Sequence, residues 1–117
     1  MTDPVPTPRQ VCGRYQAAAG LLGKRWSVSV VAVMVDRPTV RFNQLRTAVP
    51  GITPKLLSDR LRELEAAGIV ERRVTLTPDG PVRVEYRLTE KGAALRGVVD
   101  ALQSWADSWV VETRRGS

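Results

Sequence analysis

Lys55, Ser58, Asp59 and Arg62 fall on one side of a helical stretch between Thr53 and Ala67. Short polar and basic side chains in that arrangement suit hydrogen bonding to base edges and phosphates. Lysine and arginine donate to guanine or phosphate, and Asp59 can accept from cytosine. Leu57, Leu61 and Leu64, joined by Leu56, form an apolar stripe on the other side. A helix anchored on one face and polar on the other can enter the major groove of B-DNA, which is about 12 Å wide. An ordinary solvated surface helix has the same pattern, so the stretch must be read with its neighbours. Enzymatic chemistry has little to work with. The chain holds no histidine and one cysteine, Cys12. Histidine acid-base catalysis and a Ser-His-Asp triad are therefore excluded. Structural zinc needs about four Cys or His ligands, so a metal site is not expected either. No disulfide can form within the chain. There is no glycine-rich phosphate loop and no paired-carboxylate motif. The expectation is a protein without catalytic residues, metal or cofactor.

The elements around residues 53–67 sharpen the reading. Thr53 is placed as an N-cap, with Pro54 at the first helical position and Gly68 as a left-handed C-cap. Upstream, Phe42, Leu45 and Val49 share one helical face, and Pro50-Gly51 makes a turn, giving a helix-turn-helix. Thr39 to Arg41 reads as a short strand. Arg41, Asn43, Gln44 and Thr53 are candidates for phosphate contacts, the last at a helix N-terminus. Downstream, Val70, Val74 and Leu76 alternate with polar residues, as do Val82, Val84, Tyr86 and Leu88. These are two half-buried strands joined by Pro78-Asp79-Gly80-Pro81. Of the hairpin arginines, Arg83 lies nearest the turn and is the leading candidate for a minor-groove or phosphate contact. Arg73 and Arg87 fit a solvated strand face, with Arg72 or Arg73 paired to Glu85. A capped helix followed at once by a basic hairpin is the layout of a winged helix.

Residues 1–10 read as a flexible arm and 113–117 as a polar tail, leaving one domain over 11–112. A first helix spans Val11 to Leu22, with Val11, Tyr15 and Leu22 at helical spacing and breaks near Gly20 and Gly23. Ser27 to Asp36 is almost wholly apolar, and periodicity does not separate a buried helix from a buried strand there. Thr89 caps a final helix from Glu90 to about Glu112, with Leu95, Val98, Val99, Leu102, Trp105 and Trp109 along one stripe. That stripe is too apolar for one small domain to cover. It either folds back on Val28–Val35 or meets a second copy of the chain.

The net charge of +6 suits a polyanionic partner, and it suits a merely basic surface as well. Residues 1–53 hold seven basic and two acidic residues, while 54–87 hold seven and six, so the excess does not sit on the reading helix. The longest apolar run, Val28–Val35, falls far short of the roughly 20 residues that cross a bilayer. The N-terminus lacks a signal-peptide pattern. No membrane association and a cytoplasmic location are expected.

Four segments carry a family likeness: L-L-G-K-R-W at 21–26, R-F-N-Q-L-R at 41–46, G-I-T-P-K-L-L-S-D-R-L-R-E-L-E-A-A-G-I-V at 51–70, and V-E-Y-R-L-T-E-K-G at 84–92. The chain resembles the HxlR-type regulators, a winged-helix branch related to MarR. The resemblance implies a mainly α fold with a small β-hairpin (α+β), a helix over 27–36, helix 53–67 in the major groove and a wing at 70–88. It implies a homodimer built from the first helix and from a dimerisation helix at 90–112. Val11, Tyr15, Leu22, Leu95, Val98, Val99, Leu102, Trp105 and Trp109 would form the interface. Many members carry an N-terminal cysteine that some use to sense oxidants or electrophiles, and Cys12 matches by type, followed by Gly13 where proline is usual. A small ligand near Trp26, Trp105 and Trp109 is a further effector expectation. The function implied is a homodimeric, sequence-specific regulator of transcription binding double-stranded DNA, a repressor on a pseudo-palindromic operator. The alternative is a winged helix used for protein contact.

Overall fold

The computed structural model describes residues 5–112. The polar tail and the first four residues of the expected arm lie outside them. Helix α1 (Gly13–Leu22) and helix α2 (Ser27–Met34) precede helix α3 (Phe42–Ala48) and helix α4 (Pro54–Ala66). Strands β1 (Val70–Thr75) and β2 (Arg83–Leu88) form an antiparallel hairpin, followed by the short α5 (Glu90–Ala93) and by α6 (Arg96–Trp109). Helices plus one two-stranded hairpin give the expected α+β winged helix-turn-helix.

The valine-rich segment is helical. Val30, Val31 and Met34 are buried in α2 along with Ser27, and burial on several sides overrides the strand preference of valine. The core joins these residues to Leu45, Leu57, Leu61 and Leu64 from α3 and α4, and to Val40, Val49, Ile52, Ile69 and Val70. The expected leucine stripe of α4 is thus its inner face. Thr53 accepts the Leu56 N–H at 3.2 Å, as an N-cap should. Gly68 ends the helix at φ +76, a conformation that L side chains rarely adopt.

Several boundaries differ from expectation. Helix α1 runs through Gly20, where a break was expected, and ends at Gly23, whose N–H reaches the Ala19 carbonyl at 2.7 Å. One glycine weakens a helix without ending it. The strand expected at 39–41 is a single bridge between Val40 and Tyr86. The outer half of the hairpin is not half-buried: Val74, Leu76 and Val82 are exposed. The expected final helix is two helices, and the second stops at Trp109, short of Glu112. Its first turn is held separately. The Thr89 hydroxyl accepts the Gly92 N–H at 3.1 Å, and Lys91 donates to the Ala67 carbonyl at 2.6 Å, capping the end of α4. Arg96 donates to Asp36 at 2.8 Å and to the Val35 carbonyl, pinning the start of α6 to the end of α2.

Neither α1 nor α6 contributes a buried residue. Leu22, Leu95 and Val99 are half-buried, but Tyr15 is 61% exposed, Trp105 58% and Trp109 75%. The two tryptophans therefore do not fold back on α2 within the protomer. Among the described residues no single helix is long and apolar enough to cross a membrane.

Candidate nucleic-acid interface

Helix α4 leaves Lys55 and Arg62 exposed to solvent, with Ser58 and Asp59 half-exposed beside them. The leucines fix the opposite side in the core, so the helix cannot rotate to hide this face. Arg62 pairs with Asp59 at 2.7 Å, one turn away on the same helix. Asp59 thus orients Arg62 and lowers the local positive charge. Ser58 and Arg62 line a cleft of about 460 Å3 between α4 and the hairpin, together with Leu61, Glu65, Arg72 and Tyr86.

The other expected contacts are placed separately. Asn43 and Gln44 line a groove of about 510 Å3 with Arg37, Val33, Val40 and Thr47, on the α2–α3 side. Gln44 already accepts the Arg41 N–H at 2.9 Å through Oε1, leaving its amide N–H groups to donate. Thr53 has its hydroxyl oxygen committed to the helix cap. Arg83 lies at the start of β2 and pairs loosely with Glu85, at 3.7 Å. Glu85 is opposite Arg73 in register, yet its ion pair is with Arg83. Arg87 is paired with Glu71 at 2.9 Å, as a solvated strand face would have it.

Sequence reasoning missed the fastening of α4. Arg60 donates through Nε to the Arg25 carbonyl at 2.8 Å, and Glu63 takes Lys24 at 3.1 Å. The lysine and arginine of the L-L-G-K-R-W segment were the available signal, unread because their partners lie more than thirty residues away. Trp26 adopts φ +79 and carries the Arg25 guanidinium 4.7 Å from its ring. Trp26 lines a groove with Ser29, Ala32, Val33 and Pro50, without Trp105 or Trp109.

Cys12 is exposed and is the N-cap of α1. Its thiol is held below the ordinary range, first by the Tyr15 backbone N–H and also by Arg14. The free N–H groups of a helix start stabilise a thiolate in the same sense.

A short helix, a tight turn, a second helix anchored by leucines with its polar face open, and an adjoining antiparallel hairpin define a winged helix-turn-helix protein. The chain belongs to the HxlR-like helix-turn-helix family, whose profile matches residues 21–114. It is similar to the HTH-type transcriptional regulator YodB of Bacillus subtilis, with 44% identity over 99 residues covering 85% of this chain and 86% of that protein. The reduced form of YodB superposes with a TM-score of 0.72 at 41% identity, over 90% of this chain and 100% of that one. YodB is also known in a quinone-bound form. The redox regulator HypR in its reduced form gives a TM-score of 0.74 at 36% identity, over 82% of this chain and 92% of that one. The chain is therefore a helix-turn-helix transcriptional regulator and not an enzyme.

Proposed function

We propose that the protein is a homodimeric, sequence-specific DNA-binding repressor of the cytoplasm that reads a pseudo-palindromic operator. The observation that carries this reading is α4: a leucine-anchored helix whose Lys55, Ser58 and Arg62 stand open beside a hairpin. Lys55, Ser58 and Arg62 contact base edges, with Asp59 orienting Arg62. Arg41, Asn43, Gln44 and Thr53 contact phosphates, Thr53 through its place at the helix start, and Arg83 lies on the wing. Residues 11–112 act as one unit, with residues 1–10 as an arm and 113–117 as a tail.

The apolar stripes of α1 and α6 support the dimer. Val11, Tyr15, Val98, Leu102, Trp105 and Trp109 are all exposed in the protomer, and large apolar side chains lined up on exposed helices mark an interaction surface. Leu22, Leu95 and Val99 would continue the seam inward. Pairing two copies sets two α4 helices against half-sites about 34 Å apart.

The effector is an oxidant or electrophile, and Cys12 is its target. Support comes from the exposed, lowered thiol at the start of the proposed dimer helix, and from the similarity to a redox regulator and to a protein with a quinone-bound form. The test is selection of bound sequences from a random duplex pool, followed by titration of the recovered duplex in rising salt. Binding through about six phosphates loses affinity steeply as salt rises, whereas a protein-contact module has no such dependence. Recovery of no preferred sequence would sink the proposal.

A further inference from the structure

The two helices of the proposed dimer seam bury no residue in the protomer, so polar ties carry much of their attachment to the reading unit. Arg96 fastens α6 to Asp36 and to the Val35 carbonyl at the end of α2. The fastening of α1 is the strap Gly23–Trp26, across which the chain turns from α1 into α2 at 82°. An open groove of about 530 Å3 runs along α1, with Ala17, Ala18 and Leu21 on one side and Ile69 and Leu95 on the other. Packing alone therefore leaves α1 room to swing.

The strap is bound to the middle of α4. Arg60 donates through Nε to the Arg25 carbonyl at 2.8 Å, and Lys24 pairs with Glu63 at 3.1 Å. The Arg25 carbonyl belongs to the planar peptide group that turns with φ of Trp26, so the Arg60 bond restrains that angle directly. The angle is +79°, where a bulky side chain is an outlier that persists only when its surroundings enforce it. The Arg25 guanidinium lies 4.7 Å from the Trp26 ring and holds the other side of the same peptide group. Without the Arg60 donor, φ of Trp26 is free to return to negative values, and α1 then changes its angle to α4. In a dimer paired through α1 and α6, that angle sets how far apart and how rotated the two α4 helices stand. DNA is sensitive to both: one more base pair between half-sites adds about 3.4 Å and turns the second site by about 35°.

We infer that Arg60 is a positioning residue that fixes the half-site spacing of the operator, by holding the Arg25–Trp26 peptide and through it the angle between α1 and the reading helix. This rests on the dimeric DNA-binding reading above. Arg60 is half-buried and engaged with the strap, so it touches neither base nor phosphate. It determines which separation of half-sites is bound and leaves the sequence of each half-site alone.

The experiment takes the half-site that wild type recovers from a random pool and builds duplexes with two inverted copies, separated by every spacer across one helical turn, about 10 base pairs. Wild type, Arg60→Met, Arg60→Leu and Val40→Ala each select from this mixture, and the bound fraction is sequenced by spacer length. Methionine and leucine keep the helix propensity and an apolar stem while removing every donor, so both variants fold, which circular dichroism verifies. Wild type favours one spacer over its neighbours by about tenfold, the scale of one mismatched pair. Arg60→Met and Arg60→Leu keep the half-site sequence and lose most of that preference. Val40→Ala, a core change on the hairpin side, lowers the thermal midpoint and leaves the spacer profile as in wild type. A wild-type profile in both Arg60 variants overturns the inference. Equal broadening in Val40→Ala overturns it too, by making the effect one of stability alone. If wild type binds its half-site with no preference for any spacer, the dimeric reading fails. If it recovers no sequence at all, the DNA-binding reading fails, and the inference falls with either.

Discussion

Arg60 donates its Nε–H to the carbonyl oxygen of Arg25 at 2.8 Å, tying the turn after α1 to the middle of α4. Glu63, one turn further along α4, accepts from Arg60 at 3.4 Å and from Lys24 at 3.1 Å. The turn before α4 is locked to the same place. A Cβ on Gly51, at φ +92, would lie 3.2 Å from Trp26 Cη2. The turn after α1, the turn into the reading helix and the middle of that helix therefore meet at one cluster.

Arg60→Ala should lower folding stability by about 1.5 kcal/mol, since it removes a charge-assisted hydrogen bond from a side chain only 16% exposed. Lys24→Ala should cost less than about 0.5 kcal/mol, because Lys24 is half in water and its ion pair is screened. Chemical denaturation of both variants measures the difference. Equal costs would show that Arg60 is no anchor.

Gly92 is fixed by contact. A Cβ there would stand 2.2 Å from the Ile69 carbonyl oxygen and 3.1 Å from an Ile69 side-chain carbon. Gly92→Ala should destabilise the protein by roughly 3 kcal/mol. Gly20→Ala should do the reverse, by roughly 0.5–1 kcal/mol, because nothing lies within 4 Å of its Cβ position and α1 continues through it. Thermal unfolding of the two variants checks the sign of each.

Leu102→Asp should leave the protomer folded and abolish its pairing. Leu102 is 50% exposed in the protomer, so the charge costs little there. In the proposed dimer it sits between Val98 and Trp105 on the α6 stripe, where an unpaired buried charge is severely unfavourable. Sedimentation equilibrium should give a monomer with wild-type circular dichroism. An unchanged dimer mass would move the interface elsewhere.

Leu57, Leu61 and Leu64 announced the inner face of α4, and Thr53 and Gly68 marked its ends, because helix periodicity and capping are local. Ser27–Asp36 was ambiguous by pattern, since a segment buried on several sides has no polar face to set a period, and the family likeness resolved it. The break in the last helix was hidden because the cause lies elsewhere in the chain. Lys91 reaches back to Ala67, and Gly92 packs against Ile69. The pairing of Arg62 with Asp59 was within reach at i, i+3, whereas the Arg60–Arg25 tie required the tertiary fold.

The Cys12 thiol should alkylate with a pH midpoint below that of an unstructured peptide of the same residues. The Tyr15 backbone N–H favours the thiolate only when α1 is formed, while Arg14 persists in the peptide. A lowered pKa means more thiolate at neutral pH, and so faster reaction there in the folded protein than in the peptide. Denaturant should erase the difference. Coincident profiles would remove the helix start as the cause. Cys12→Ser should keep DNA affinity and lose any release by oxidant.

Arg62 and Asp59 should separate affinity from specificity. Their pair is exposed on the arginine side, so neither substitution should move stability by more than about 0.5 kcal/mol. Arg62→Ala should weaken binding to the recovered duplex by roughly 1–3 kcal/mol, the worth of a base-edge contact. Asp59→Ala should act differently. It frees the Arg62 rotamer and removes a negative charge from the DNA-facing side of α4. Binding to a scrambled duplex should then tighten while binding to the recovered one does not, so the ratio of the two affinities falls. Fluorescence anisotropy on both duplexes measures that ratio, and a ratio equal to wild type would mean that Asp59 does not orient Arg62 on DNA.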